Sequence, residues 1–450
     1  MSGGRTTGPG VLAALGAALL FAVGTLVVVP GAVVLIAGLF ALVCLAPLLR
    51  RLAAGAAWSL PVLVSVAVLL VDAGGRTLAP GPWRYGATAA VVLVILLIGL
   101  RPAQPGAALR TTALLLFAYG LVGTVYGRLV LGTENGALPL IGPLIIVCLP
   151  PVRNWGAVPQ WRLGLRVVSA ACALFAVLSG LARMGLLPAT QVDVLNHEKA
   201  FVVVLGIAAA VAAHSRLGFL LASGAAVFAF LEYPAATYLV AATAVAGTLA
   251  LVRWSPRPGV RLLLAVATMA GTAMAVLRID DLIRLTRSYF ELVGKIDNGG
   301  TREALYRAAL SKFDSPLFGS LFTGDITVVG KLSGVDTVVP VHNDYLSISL
   351  GGGLVAAALL LGLFLFANGL VLRSLPAMTD PFQRRTAVTL LAAVNGAAVS
   401  AFANPIFMNP GASTVVFALL AGLVAVCGHG PRPVSRPTAT RAREGSLSTR

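Results

Sequence analysis

The chain has 450 residues, 58% of them hydrophobic and only 11% charged, with a mean hydropathy of +0.93. Soluble domains average about 25% charged residues and less than half apolar ones. A soluble enzyme, a disordered chain and a nucleic-acid-binding domain therefore fit poorly, and a polytopic helical membrane protein fits well. The 49 glycines suit helices that approach closely in lipid.

A hydrocarbon core of about 30 Å takes about 20 apolar residues per helix. By that measure the chain holds fourteen candidate spans, near 10–28, 31–49, 56–72, 86–100, 111–127, 136–150, 165–182, 199–214, 217–232, 235–252, 260–277, 345–371, 386–403 and 409–427. Pro30-Gly31 separates the first two, and Pro139 and Pro143 interrupt the sixth. No A-x-A cleavage site follows the first run, so it reads as a span and not as a removed signal. The expected fold class is an all-α membrane protein with about 14 transmembrane helices (12–14) and one large extracytoplasmic loop carrying short helices. Residues 1–9 form a cytoplasmic N-terminus, 10–277 a bundle of about 11 spans and 278–343 the loop; 344–427 add about three spans, and 428–450 a basic, disordered cytoplasmic tail.

The net charge of +17 finds its explanation in sidedness, because basic residues collect on the cytoplasmic side of membrane proteins. With the N-terminus inside, 20 of the 33 basic residues fall in cytoplasmic segments, while 14 of the 16 acidic residues fall outside. The excess positive charge then faces an anionic inner leaflet, and no nucleic acid is needed as a partner. Cys44, Cys148, Cys172 and Cys427 lie in or beside apolar runs without a CxxC or a Cys/His cluster, so neither a disulfide framework nor a zinc site is expected.

No span carries an ionisable residue near its middle, where ion-coupled transporters keep theirs, and no self-similar halves are visible. The polar chemistry collects at three outer places: Arg183 to Lys199, Glu232-Tyr233-Pro234, and the loop 278–343. In that loop 280–293 is amphipathic and could lie in the interface. Asp297-Asn298-Gly299-Gly300 breaks the chain, and Thr301 is a candidate N-cap for a helix from Arg302 to Phe313. Asp314-Ser315-Pro316 ends that helix, and a glycine-containing connector runs from Gly319 to Pro340.

His342 is one of four histidines; His214 and His429 stand at cytoplasmic boundaries and His197 in the shorter outer loop. A histidine at a span mouth is often an ordinary loop residue. Near neutral pH its imidazole can equally take a proton from a hydroxyl. His342-Asn343-Asp344-Tyr345 opens a helix that continues into Gly351-Gly352-Gly353, where another helix or a lipid could approach the backbone. Arg302 reads either as a surface ion pair or as a fork gripping a phosphate bidentately. Arg183 either snorkels or joins a site, and Asn196-His197-Glu198-Lys199 reads first as a polar boundary.

His342-Asn343, nine residues, then Gly353-Leu354-Val355-Ala356 resembles the HN-x9-G-x-x-G-like pattern of the O-antigen ligase and polymerase superfamily, with Ala356 departing from the usual Gly, Thr or Tyr. Arg302-x-x-Leu305-Tyr306-x-x-Ala309-Leu310 and Ser315-Pro316-Leu317-Phe318-Gly319 are similar to the same family, which often has Trp where Tyr306 stands. The stretch from Arg183-Met184-Gly185 to Asn196 and Ala200 resembles its earlier arginine-bearing outer segment. Glu232-Tyr233-Pro234 replaces a usual Ser-Arg pair.

The resemblance implies a GT-C-like fold in the cytoplasmic membrane and metal-independent, cofactor-free glycosyl transfer on its extracytoplasmic face. The donor is a polyprenyl-pyrophosphate-linked glycan and the acceptor a sugar hydroxyl on a glycan or glycolipid, as in a ligase or a polymerase. His342 and Arg302 are then the catalytic candidates, with Arg183, Asn343, Tyr306 and Lys199 binding substrate and membrane lipids surrounding the whole. Other readings are a flippase or exporter of lipid-linked sugars and a non-catalytic subunit of an envelope assembly.

Overall fold

The computed structural model describes residues 57–78, 91–92, 106–132, 142–147, 160–187, 195–233, 235–254, 266, 299–313, 315–322, 327–332 and 335–428. The first two candidate spans, most of 86–100 and 260–277, the amphipathic stretch 280–293 and the tail beyond Gly428 lie outside the described residues.

The helices are α1 (Leu60–Leu78), α2 (Ala107–Val130), α3 (Leu144–Val147), α4 (Trp161–Arg183), α5 (Ala200–Ala212), α6 (Arg216–Glu232) and α7 (Ala236–Trp254). They continue with α8 (Gly299–Ser311), α9 (Asp344–Ser374), α10 (Pro381–Ser400) and α11 (Pro410–Cys427). Among the described residues three segments are long and apolar enough to cross a membrane: Ala107–Gly127, Trp161–Arg183 and Asp344–Ala377. Leu60–Leu70, Thr237–Ala250 and Gly411–Cys427 are shorter apolar helices. Of the interrupted run 136–150, the described part holds one helical turn, α3, just after Pro143.

Among the described residues, one departure from an all-helical chain occurs inside the expected connector. Strands β1 (Thr327–Leu332) and β2 (Val335–Pro340) pair antiparallel, with Leu332 opposite Val335. The sequence reason is local: Thr-Val-Val and Thr-Val-Val runs are β-branched, and the two residues between the strands, Ser333-Gly334, are a turn dipeptide.

Capping residues set the helix starts. Asp380 and Asn409 each precede a proline at the first helical position, where proline's missing N–H costs nothing. The Asp380 carboxylate accepts the N–H groups of Phe382 and Gln383 at 2.6 and 3.2 Å, and the Asn409 side-chain oxygen accepts those of Gly411 and Ala412 at 3.1 and 3.2 Å. Ser215 caps α6 through Gly218 at 3.1 Å.

α10 and α11 form the centre, buried continuously from Thr386 to Ser400 and from Gly411 to Cys427. A helix that is apolar all round belongs inside; α10 is flanked by α5, α7, α9 and α11, and α11 by α1, α3, α9 and α10. Small residues allow the close approach: a Cβ on Gly206 of α5 would stand 2.9 Å from that of Cys172 on α4. Asn368 of α9 donates to the Asn395 side-chain oxygen at 2.9 Å. Asn395 of α10 donates in return at 3.1 Å and also to the Thr248 hydroxyl of α7 at 3.3 Å. Such polar bonds join helices in an apolar medium. The outside is apolar as well, with Leu121, Val122 and Leu129 on α2 and Leu217, Leu220 and Leu231 on α6 exposed.

The helix α9 is broken at Gly353, where φ is 64° and ψ −168°. That conformation is open essentially to glycine alone, and a break strands backbone amides and carbonyls that must find partners. The segment 315–322 supplies them. Leu354 and Val355 donate to the Pro316 and Leu317 carbonyls at 2.9 and 3.2 Å, while Ser320 and Phe322 donate to those of Leu350 and Gly351 at 3.1 and 2.7 Å. The triplet Gly351-Gly352-Gly353 thus admits a neighbouring loop of the same chain. Tyr119 of α2 fastens that loop by donating to the Phe318 carbonyl at 3.0 Å.

Candidate functional site

The ends of α4, α6 and α10 and the starts of α5, α7, α9 and α11 share one end of the bundle. The opposite end is rich in arginine: Arg162 donates to the Ala213 carbonyl at 3.0 Å, and both Arg162 and Arg385 lie over the Phe382 ring. Arg216 opens α6 there, beside His214.

At the other end α5 is short. Its 13 residues rise about 20 Å, less than the 23-residue α4 beside it. The approach to α5 therefore meets α4 below its tip, with the Leu195 N–H donating to the Ser179 carbonyl at 3.4 Å. Asn196 caps a 3-10 turn, His197–Lys199, by accepting the Glu198 N–H at 3.2 Å, and Lys199 is wholly buried.

Around this turn the three polar places of the sequence come together. Arg183 at the tip of α4 lies over the Tyr233 ring, 4.2 Å from Cζ to centroid, and its Nε donates to the Glu232 carbonyl at 3.0 Å. The Tyr233 hydroxyl is 3.0 Å from Nδ1 of His197, and the two rings stack at 6.3 Å. The His197 ring in turn meets that of His342, with centroids 5.7 Å apart. Arg183 is exposed, and the three rings are half-buried. A cation, a phenol and two imidazoles are thus set in a row that solvent reaches: an anion binder at one end and a proton acceptor at the other.

The residues beneath hold the row in place. His342 sits at φ 56°, a region few side chains adopt, directly before the cap of α9. Asn343 is that cap, accepting the Leu346 N–H at 3.1 Å. The fully buried Asp344 donates its N–H to the Ala401 carbonyl at 2.9 Å. Its carboxylate accepts the N–H groups of Phe407 and Met408 at 2.5 and 3.2 Å. Glu198 holds the same turn from the other side, accepting from the Asn409 amide. Both acids therefore shape the crossing from α10 to α11.

Arg302 lies on α8, one turn before Tyr306, and its side chain is outside the described residues. The helix itself is anchored near the site: Leu305 and Ala309 are buried with Val341 and Leu350, and the Tyr306 hydroxyl donates to the Phe402 carbonyl at 3.3 Å. Phe402 packs on Tyr345, centroids 4.2 Å apart. Of the expected site residues, His342 and Arg183 join one row, Lys199 is buried beside it, Asn343 caps α9, and Tyr306 ties α8 to the Phe402 carbonyl. His197 and Tyr233 are the members that sequence reasoning passed over; their signal was the polar residues clustered at span ends.

No protein-family model matches the chain, and no curated protein matches it either.

Proposed function

We propose that this chain transfers a glycan from a polyprenyl-pyrophosphate carrier to a sugar hydroxyl of an acceptor, at the outer face of the cytoplasmic membrane. One observation carries the reading: Arg183, Tyr233, His197 and His342, from three separated segments, stand in a row at the bundle end opposite the arginine-rich one. That charge difference supports the orientation, because basic loops tend to stay inside.

In this reaction the acceptor oxygen bonds to the anomeric carbon of the donor sugar, the bond from that carbon to the pyrophosphate breaks, and the hydroxyl proton passes to His342. The leaving pyrophosphate gains negative charge in the transition state, so arginines already in place stabilise it most when it forms. Arg183 supplies one such group, and Arg302, on the helix anchored beside the same loop, is the second candidate. Charge is met by guanidinium groups, so the chemistry needs no metal. A transport reading draws less support, since Asn368, Asn395 and Thr248 in the core are engaged with one another.

The test is transfer by purified protein in liposomes loaded with a polyprenyl-pyrophosphate glycan and an acceptor. Loss of a general base costs on the order of 10²–10⁴ in rate. His342→Gln is expected to insert normally, bind donor and lose transfer by that factor. Near wild-type transfer by the variant would remove the assignment.

A further inference from the structure

We propose that His197 and His342 form an electrostatically coupled pair, in which a proton held by one ring keeps the other neutral. This rests on the transfer reading for its purpose, but the pair itself stands on geometry. The ring centroids are 5.7 Å apart, a spacing at which two positive imidazolium ions repel strongly in a half-buried setting. The pair therefore accepts its first proton readily and its second only at lower pH, so the two steps belong to the pair and not to either ring.

The surroundings give the two rings different tasks. Nδ1 of His197 faces the Tyr233 hydroxyl at 3.0 Å, and its Nε2 is buried. Arg183, lying over the Tyr233 ring, opposes a second positive charge. Glu198 and Lys199 flank His197 in its own turn, and Glu232 precedes Tyr233 on α6. Tyr238 begins α7, and Asp344 begins α9 two residues after His342. These groups fix where the first proton binds; the ring spacing fixes how far below it the second lies.

In the catalytic step the acceptor O–H gives its proton to a neutral His342. The half-buried imidazolium then gives that proton to solvent and returns to its base form. No electron pair leaves the system and no further reactant is required. With one proton on the pair, His342 is still neutral for part of the time, so activity extends to lower pH than a lone histidine allows.

The experiment is a pH titration of the full-length protein in detergent micelles, carrying 15N-labelled histidine and followed by NMR. Only four histidines exist, so each signal is assigned by a single His→Gln substitution, with His214 at the far end of the bundle as a control. His342 is expected to titrate with two inflections in the native protein. In His197→Gln it is expected to show a single inflection at a higher midpoint, because its like-charged neighbour is gone. The reciprocal variant, His342→Gln, should simplify the His197 curve in the same way and serves if His197→Gln fails to fold. Tyr233→Phe keeps both imidazoles and should keep two inflections. A His342 curve with one inflection and an unchanged midpoint in His197→Gln overturns the pair. These readouts need no donor or acceptor, so an inactive protein with coupled histidines would refute the transfer reading and leave the pair standing.

Discussion

Gly319 and Gly353 meet backbone to backbone: a Cβ built on Gly319 would stand 2.6 Å from the Gly353 nitrogen, and both residues have positive φ, 59° and 64°. The contact closes the loop 315–322 over the break in α9, some ten residues from His342. Gly353→Ala forces a side chain into a conformation that costs about 1–3 kcal/mol, and into the Leu317 carbonyl besides. We expect a clear fall in melting temperature and in membrane accumulation. An alanine variant with native melting would mean that the break is not held as described.

The Asp344 carboxylate accepts two backbone N–H groups with its two oxygens. Asp344→Asn leaves one oxygen and turns an NH2 group toward the other donor. A buried donor left without an acceptor costs about 1–3 kcal/mol, so the variant should melt earlier, and transfer should fall because His342 and the turn at Phe407 shift together. Thermal unfolding monitored in detergent checks this; unchanged melting contradicts it.

Asn368 and Asn395 bond reciprocally in the core. Removing either by substitution with leucine leaves the other amide in an apolar setting, whereas removing both leaves none. Interhelical bonds of this kind are worth about 0.6–2 kcal/mol. The double variant should therefore be less destabilised than the sum of the single ones. Strict additivity in a double-mutant cycle would show that the pair is not coupled.

Sidedness is open to direct labelling. Leu186, just past Arg183, and Ala377, after α9, are exposed at opposite ends of the bundle. In a background with the native cysteines replaced, Leu186→Cys should react with an impermeant thiol reagent in intact cells and Ala377→Cys only after lysis. The inverse pattern would turn the protein over and remove an outer-face site.

Arg302 is separable from an ordinary surface arginine by its replacement with lysine. A point charge cannot reproduce a bidentate fork, so Arg302→Lys should lose transfer nearly as fully as Arg302→Ala at equal expression. Recovery of most activity by lysine favours an ion pair.

What was readable in the sequence is what depends on neighbours along the chain. Apolar runs gave helices at Trp161–Arg183, Asp344–Ser374 and Pro381–Ser400, because burial at helical spacing is a local pattern. Gly351-Gly352-Gly353 announced a close approach, whereas the caps at Asp380 and Asn409 emerge only in the structure. The approaching partner was not legible: the glycines say that something comes near, and only the hydrogen bonds from Leu354 and Val355 to Pro316 and Leu317 say what. Likewise Asn196 to Lys199 read as a polar boundary when taken alone, and Glu232-Tyr233 as a replacement for a Ser-Arg pair. Their meaning arises where the short α5 draws one of them down beside α4 and the turn into α9 swings His342 against it. Contacts between segments so distant in the chain depend on helix length and packing angle, which no local spacing of residues encodes.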